Sequence, residues 1–307
     1  MQDLFKEDLS FDLEYLLALR LVFDNKGLLK LINSNLTKEE ILNLKELGLK
    51  SLNFKNIKRY EEGLKNIEKY LIFSKDVLEQ LNKDGIKIIS IFDKDYPERL
   101  RRIELPPVLI FCKGNLSLLD NKKNIAFVGT RKCSELGASI SFKTSAFFAE
   151  NKFNIISGLA KGIDESAHKG ALSVAGLTTA VLVDIKSISP NSNKNLVEEI
   201  LQKNGLLLSE NVPGTTQGEP FLFLERNRIQ SAISEGVFVI ESSLKSGTAK
   251  TVEYALKQGK QIYCPDFSQV ETSSFEENRS LNKKLIETSK ALPFTNSDYQ
   301  EIIDNLS

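Results

Sequence analysis

The sequence predicts an α/β protein: a doubly wound, mainly parallel sheet preceded by a small helical domain. Two observations carry this. Short apolar runs recur through the middle of the chain, each followed by a turn and a segment of helical length. Those runs are continuous rather than alternating, as strands covered on both faces must be. Repetition of strand, turn and helix favours parallel strands joined by right-handed crossovers.

The elements follow in order. Residues 1–75 read as a helical domain. Leu13, Leu16, Leu17 and Leu21 fall on one helical face, and Thr37-Lys38-Glu39-Glu40 is a capping box that opens a second helix ending near Gly48. Such a bundle is a structural module or a weak duplex- or partner-binding one. Residues 76–270 carry the sheet. IKIISIF begins at Ile86, DKDYPERL turns at Pro97, and Pro106-Pro107 introduces VLIFCKG. Then come IAFVG (125–129), FNIISG (153–158), TTAVLV (178–183), GLLLSE (205–210), GVFVIE (236–241) and QIYCP (261–265). Residues 271–307 read as a polar tail with one helix around Leu281–Ile286 and another near the end, too short for a winged-helix domain.

Composition narrows the function. Of 307 residues, 41% are hydrophobic and 27% charged, an ordinary globular balance. Lys+Arg and Asp+Glu are 41 each, so the net charge is zero and any nucleic-acid site must be a local patch. Cys112, Cys133 and Cys264 form no CxxC pair, which argues against a zinc site or a disulfide framework and fits a reducing cytoplasm. The opening MQDLFKEDLS lacks the apolar core of a signal peptide, and no run is long enough to span a membrane.

In a doubly wound sheet, ligands bind in the crevice beyond the strand carboxyl ends. Four anion-friendly segments are expected there. Gly129-Thr130-Arg131 follows the first core strand and combines close backbone approach with a forked cation. Ser157-Gly158-Leu159-Ala160-Lys161 runs into a helix, where Ser157, Gly158 and Lys161 can cradle a phosphate. Phe223, Arg226, Asn227 and Arg228 combine a ring for base stacking with bidentate cations, while Phe221 is expected in the core. Either arginine could instead pair with Glu210 or Glu241. Lys245-Ser246-Gly247-Thr248 opens another helix. His168, the one histidine, is expected to be structural.

IAFVGTR, IISGLAKGIDESAHKGAL, GLLLSE, FLERNRI and SGTAKTVEYALKQGKQIYCP, in this order, resemble the DNA-processing protein A (DprA/Smf) family. The resemblance covers roughly residues 86–265. It implies an extended Rossmann-type fold, single-stranded DNA binding, homodimerisation and loading of the RecA recombinase in natural transformation, without cofactor or catalysis. The chain departs from the family at Ser189-Pro190, where a Tyr-Pro is usual, and at Pro265-Asp266, where Pro-Gly is usual. The competing reading is a nucleotide sensor or hydrolase. A phosphoribohydrolase of that kind would carry a glutamate at a fixed spacing after Gly-Thr. Here Gly247-Thr248 is followed by Ala249-Lys250-Thr251, and Glu253 lies on another face of the helix.

Overall fold

A computed structural model describes residues 11–306 except 35, 45–48, 50–51, 55, 217–218 and 269–275. The chain forms two compact units. One is Met1–Phe111 with Glu210–Val212, and the other is Cys112–Ser209 with Pro213–Ser307.

The first unit begins with helices α1 (Leu13–Val22), α2 (Asn25–Ile32), α3 (Lys38–Leu42), α4 (Ile57–Lys65) and α5 (Ile67–Lys83). Leu16 and Leu17 are fully buried, as their helical spacing predicts. The capping box forms at α3, with Thr37 accepting from Glu40 N and the Glu40 carboxylate accepting from Thr37 N. The expected stop at Gly48 lies outside the described residues. Asp24 caps α2 by accepting from Gly27 N at 2.8 Å, and its other oxygen accepts from the Tyr60 hydroxyl at 2.7 Å. Burial and that carboxylate push the Tyr60 phenol up to about 12. Strand β1 (Lys87–Ser90), the short helix α6 (Glu98–Arg101) and strand β2 (Leu109–Gly114) follow, and β2 runs on into the second unit.

The second unit alternates as the sequence predicts. Its elements are β3 (Asn124–Val128), α7 (Glu135–Glu150), β4 (Asn154–Ser157), α8 (Ile163–Ser173), β5 (Thr178–Val181), α9 (Lys194–Gln202) and β6 (Leu206–Ser209). Then come α10 (Pro220–Ala232), β7 (Gly236–Val239), α11 (Gly247–Lys257), β8 (Gln261–Pro265), α12 (Ser280–Glu287), β9 (Leu292–Phe294) and α13 (Tyr299–Leu306). The strand order is β6-β5-β4-β3-β7-β8-β9, and every pair is parallel. The tail thus holds both expected helices and adds a strand the sequence hides. β9 is only three residues long and contains Pro293, which an edge position tolerates.

Strands β3 to β7 are buried at every residue, which is why they read as unbroken apolar runs. Their shared core is aromatic. Phe127 stacks on Phe238 at 4.8 Å, and Phe148 meets Phe238 edge-on at 5.1 Å. Each such ring contributes about 1.5–3 kcal/mol by burial. Asn154 donates to Asn124 and to Thr179, both at 2.9 Å, so the polar residues inside β3, β4 and β5 satisfy one another. No helix among the described residues is long and apolar enough to cross a membrane.

The order of strands decides where a ligand can sit. From β3 the chain winds outward through β4, β5 and β6, then returns to the other side of β3 as β7. The loops after β3 and β7 therefore diverge, and a crevice opens between them at the switch point.

Candidate nucleic-acid interface

The loop after β3 is held from three sides. Thr130 N donates to Glu241 O at 2.7 Å, at the end of β7. The Glu241 carboxylate, fully buried, accepts from Ser134 N at 2.8 Å and from the Ser134 hydroxyl at 2.6 Å. Its counter-charge is Arg279, whose Nε donates at 3.0 Å. Arg226 and Arg228, the sequence's candidates for Glu241, do not pair with it. Asn278 adds a bond from Nδ2 to Lys132 O at 2.7 Å, so the tail braces the loop that carries Arg131 and Lys132.

The loop after β4 approaches the first one at Gly162, which begins α8 with φ +81°. A Cβ there would lie 2.5 Å from Thr130 O and 2.8 Å from Arg131 O, so only glycine lets the two backbones meet. Asp164 turns back to accept from Gly158 N at 3.1 Å, and Asn193 Nδ2 donates to Leu159 O at 2.9 Å.

Beneath this loop lies a buried cation. Arg226 is 6% exposed, and Nη1 donates to Gly158 O at 3.0 Å and to Val181 O. Its Nε donates to Asn227 Oδ1 at 3.2 Å. A Cβ on Gly158 would fall 2.5 Å from Arg226 Nη2, which explains the glycine. Burial lowers the Arg226 guanidinium to about 10, Asp164 opposes that shift, and Arg131 adds to it. Burial raises the Asp164 carboxyl to about 6 against the pull of Arg226 and of the backbone amides it accepts from. Arg226 therefore organises the floor of the crevice rather than reaching out from it.

Two adjoining pockets occupy the crevice, of about 240 and 400 Å³. Arg131, Phe223 and Arg226 line both. The smaller adds Gly158 and Lys161, and the larger adds Gly129, Thr130, Asn227, Ser246, Gly247 and Thr248. Eleven of the fourteen candidate residues thus converge here. Ser157, Arg228 and Lys245 do not line either pocket. Ser157 is buried and donates to Phe127 O at 2.7 Å, Arg228 is 2% exposed with Nη1 on Glu225 O, and Lys245 is exposed nearby.

The mouth is cationic. Arg131, Lys132 and Lys161 are exposed at the smaller pocket. None of the three side chains has an acidic partner among the described residues. Arg131 lies over the half-buried Phe223 ring at 5.6 Å. Phe221 overturns its expected place in the core: it is 58% exposed. The first turns of α10 stand clear of the body, whereas every residue from Arg226 to Ala232 is buried.

Residues absent from the sequence reading also appear. Lys132 could have been found beside Arg131, and Gln230 lies one helical turn beyond Arg226 on the same face. Asn278 could not, because its place depends on the path of the tail. Ser189 and Pro190 line the smaller pocket although they depart from the family pattern.

His168 is structural. The Thr178 hydroxyl donates to Ile155 O at 2.6 Å, so only lone pairs remain for His168 Nδ1 at 2.7 Å, and that nitrogen carries the proton. Burial, then Arg226, drops the imidazole to about 3, so it stays neutral in the fold. The unfolded chain protonates near 6.5, so falling pH draws stability from the fold between those values. Asp164, raised to about 6, acts in the opposite sense between its unfolded value and 6. The difference between His168→Asn and the parent isolates the histidine. The variant should gain on the parent by about 1.4 kcal/mol per pH unit below 6.5 in denaturant titrations. A pH-independent difference would contradict the assignment.

A parallel sheet with a cation-lined crevice at its switch point defines a Rossmann-type α/β protein. The family described as DNA recombination-mediator protein A matches residues 87–307, and the chain belongs to that family. A DNA processing protein DprA from Bacillus subtilis is 35% identical over 203 residues, covering 66% of this chain and 68% of that protein. A DNA processing protein DprA from Streptococcus pneumoniae is 42% identical over 175 residues, 57% of this chain and 61% of that protein. The latter match spans less than two thirds of its relative's length. The X-ray structure of DNA processing protein A from Streptococcus pneumoniae superposes with a TM-score of 0.67 at 31% identity, covering 90% of this chain and 96% of that one. The Helicobacter pylori DNA processing protein A, whose structure is described as giving insight into a single-stranded DNA binding mode, has a TM-score of 0.60 at 27% identity, with 72% and 95% covered.

Proposed function

We propose that this chain binds single-stranded DNA along the crevice and serves recombination as a binding protein rather than an enzyme. One observation carries the reading: Arg131, Lys132 and Lys161, without acidic partners among the described residues, flank a half-buried aromatic ring at one concave mouth. Cations track the phosphates, and an aromatic face accepts any unpaired base. The family description and the Helicobacter relative's single-strand binding support it. Homodimerisation, RecA loading in natural transformation and a cytoplasmic setting are further parts of the proposal, resting on the family resemblance. A monomer by light scattering at tens of micromolar would count against the dimer.

The test is a fluorescence-anisotropy titration with a poly-dT strand and a blunt duplex of equal length. Tighter binding to the strand is expected, and equal or tighter binding to the duplex would overturn the reading.

Phe223→Ala separates stacking from packing. Because the ring is half exposed, the variant should fold normally. Its affinity for dT strands should fall by about 1–3 kcal/mol with the salt dependence unchanged, since stacking releases no counterions. A lower melting temperature at full affinity would make Phe223 a packing residue instead.

A further inference from the structure

Two left-handed residues bracket the segment that presents Lys161. Gly162 is one, at φ 81°, and Leu159 is the other, at φ 63°. Glycine takes such a conformation freely, whereas a bulky side chain stays there only where its surroundings hold it. Leu159 cannot give way to glycine without leaving a hole, because its side chain is fully buried. Ala160 and Lys161, between the two turns, line the smaller pocket, and Lys161 is exposed there.

The hold on Leu159 comes from the loop after β5. Asn193 is 4% exposed, and its Nδ2 donates to Leu159 O at 2.9 Å across 34 residues of sequence. Asn193 stands at the N-cap of α9, where an asparagine side chain ordinarily accepts from its own helix. Here it makes no such bond. Its Oδ1 accepts instead from the Ser192 hydroxyl at 3.2 Å, which leaves Nδ2 for the Leu159 carbonyl. The loop that carries Asn193 is itself anchored. Asp184 accepts from Lys186 N at 2.8 Å and from Gly214 N at 2.9 Å, and Asn193 N donates to Pro190 O at 3.0 Å.

We propose that Asn193 is a positioning residue for strand binding. It forgoes capping α9 to hold the Leu159 carbonyl, and so keeps Leu159 left-handed and Lys161 at the crevice mouth. Without that bond the Leu159–Ala160 peptide can turn and relieve the strain, carrying Lys161 away from the phosphates. This role rests on the crevice being the single-strand site.

Asn193→Ser is the informative variant, because a serine can cap α9 but is too short to reach Leu159 O. The full chain, Asn193→Ser, Lys161→Ala and the double variant are titrated with a dT 15-mer across a range of salt concentrations. Melting curves accompany each titration. Lys161→Ala should flatten the slope of log affinity against log salt by about 0.7, the loss of one phosphate contact. Asn193→Ser should weaken binding and flatten the slope by a similar amount, about 0.7, although it removes no charge. Added to Lys161→Ala, it should change neither quantity further. Asn193→Ala should bind as Asn193→Ser does and melt lower, which separates capping from positioning. An Asn193→Ser protein with the parent's slope would overturn the proposal, whether or not its affinity falls. So would losses that add to those of Lys161→Ala, or an Asn193→Ser protein that unfolds at the assay temperature, which would make the side chain structural. A Lys161→Ala protein that binds like the parent would also overturn it, and would leave Arg131 and Lys132 to carry the strand reading. Failure of the parent to bind the strand would remove both.

Discussion

Replacing Arg226 by Met should cost about 3–5 kcal/mol of folding stability near neutral pH, the range for removing one member of a buried charge pair. The substitution keeps the volume and removes the Nη1 donor that holds both Gly158 O and Val181 O. It also strands the buried Asp164, which Arg226 now pulls downward. The loss should depend on pH. Asp164 is charged in the parent only above about 6, so the attraction to Arg226 exists only there. Denaturant titrations should therefore show a larger loss at pH 8 than at pH 5. Arg226→Lys should recover only part of the loss, because a single ammonium nitrogen cannot hold Gly158 O and Val181 O and also replace the Nε bond to Asn227 Oδ1. A stable Arg226→Met protein that no longer binds DNA would contradict this structural role and return Arg226 to the strand-binding set.

Gly162→Ala should disrupt the site through the backbone. At φ +81° and ψ −119° a side chain is strained, at about 1–3 kcal/mol. The new Cβ would also meet two carbonyl oxygens within 2.8 Å. Overpacking of this kind costs about 1–3 kcal/mol more. Relief requires separating the two loops, which breaks the Ile163 N to Thr130 O bond and moves Arg131. Stability and strand affinity should fall together. Gly259→Ala is the control: its φ is +68° but nothing lies within 4 Å, so it should cost less and leave binding intact. Equal effects of the two substitutions would show that the loop approach does not matter.

What the sequence disclosed and what it hid differ in kind. Strands β3 to β8 are visible because burial on both faces enforces unbroken apolar runs, and such runs are local. The four crevice loops are visible for a related reason: each is a short strand-to-helix turn with its chemistry concentrated in adjacent residues. The roles of Arg226 and Arg131 are not visible. Both are arginines at loop or helix positions in the sequence, yet one lies under Gly158 and the other stands free at the mouth. That distinction depends on which helical face meets the sheet. Phe221 misleads for the same reason, because the first turns of α10 overhang the body. The tail's contribution is the least visible. Arg279 reaches Glu241 across 38 residues of sequence, and Asn278 reaches Lys132 across 146, with no periodic signal at either end.

Under the proposed function, a few placed cations at the crevice mouth hold a phosphate chain although the net charge is zero. The salt dependence of Arg131→Ala tests it most directly. Affinity for a dT strand is measured across a range of salt concentrations for the parent and the variant. Each phosphate neutralised on a single strand contributes about 0.7 to the slope of log affinity against log salt. A folded variant with weaker binding and a slope flatter by about that amount is expected. A folded Arg131→Ala protein with unchanged affinity and unchanged slope would contradict it.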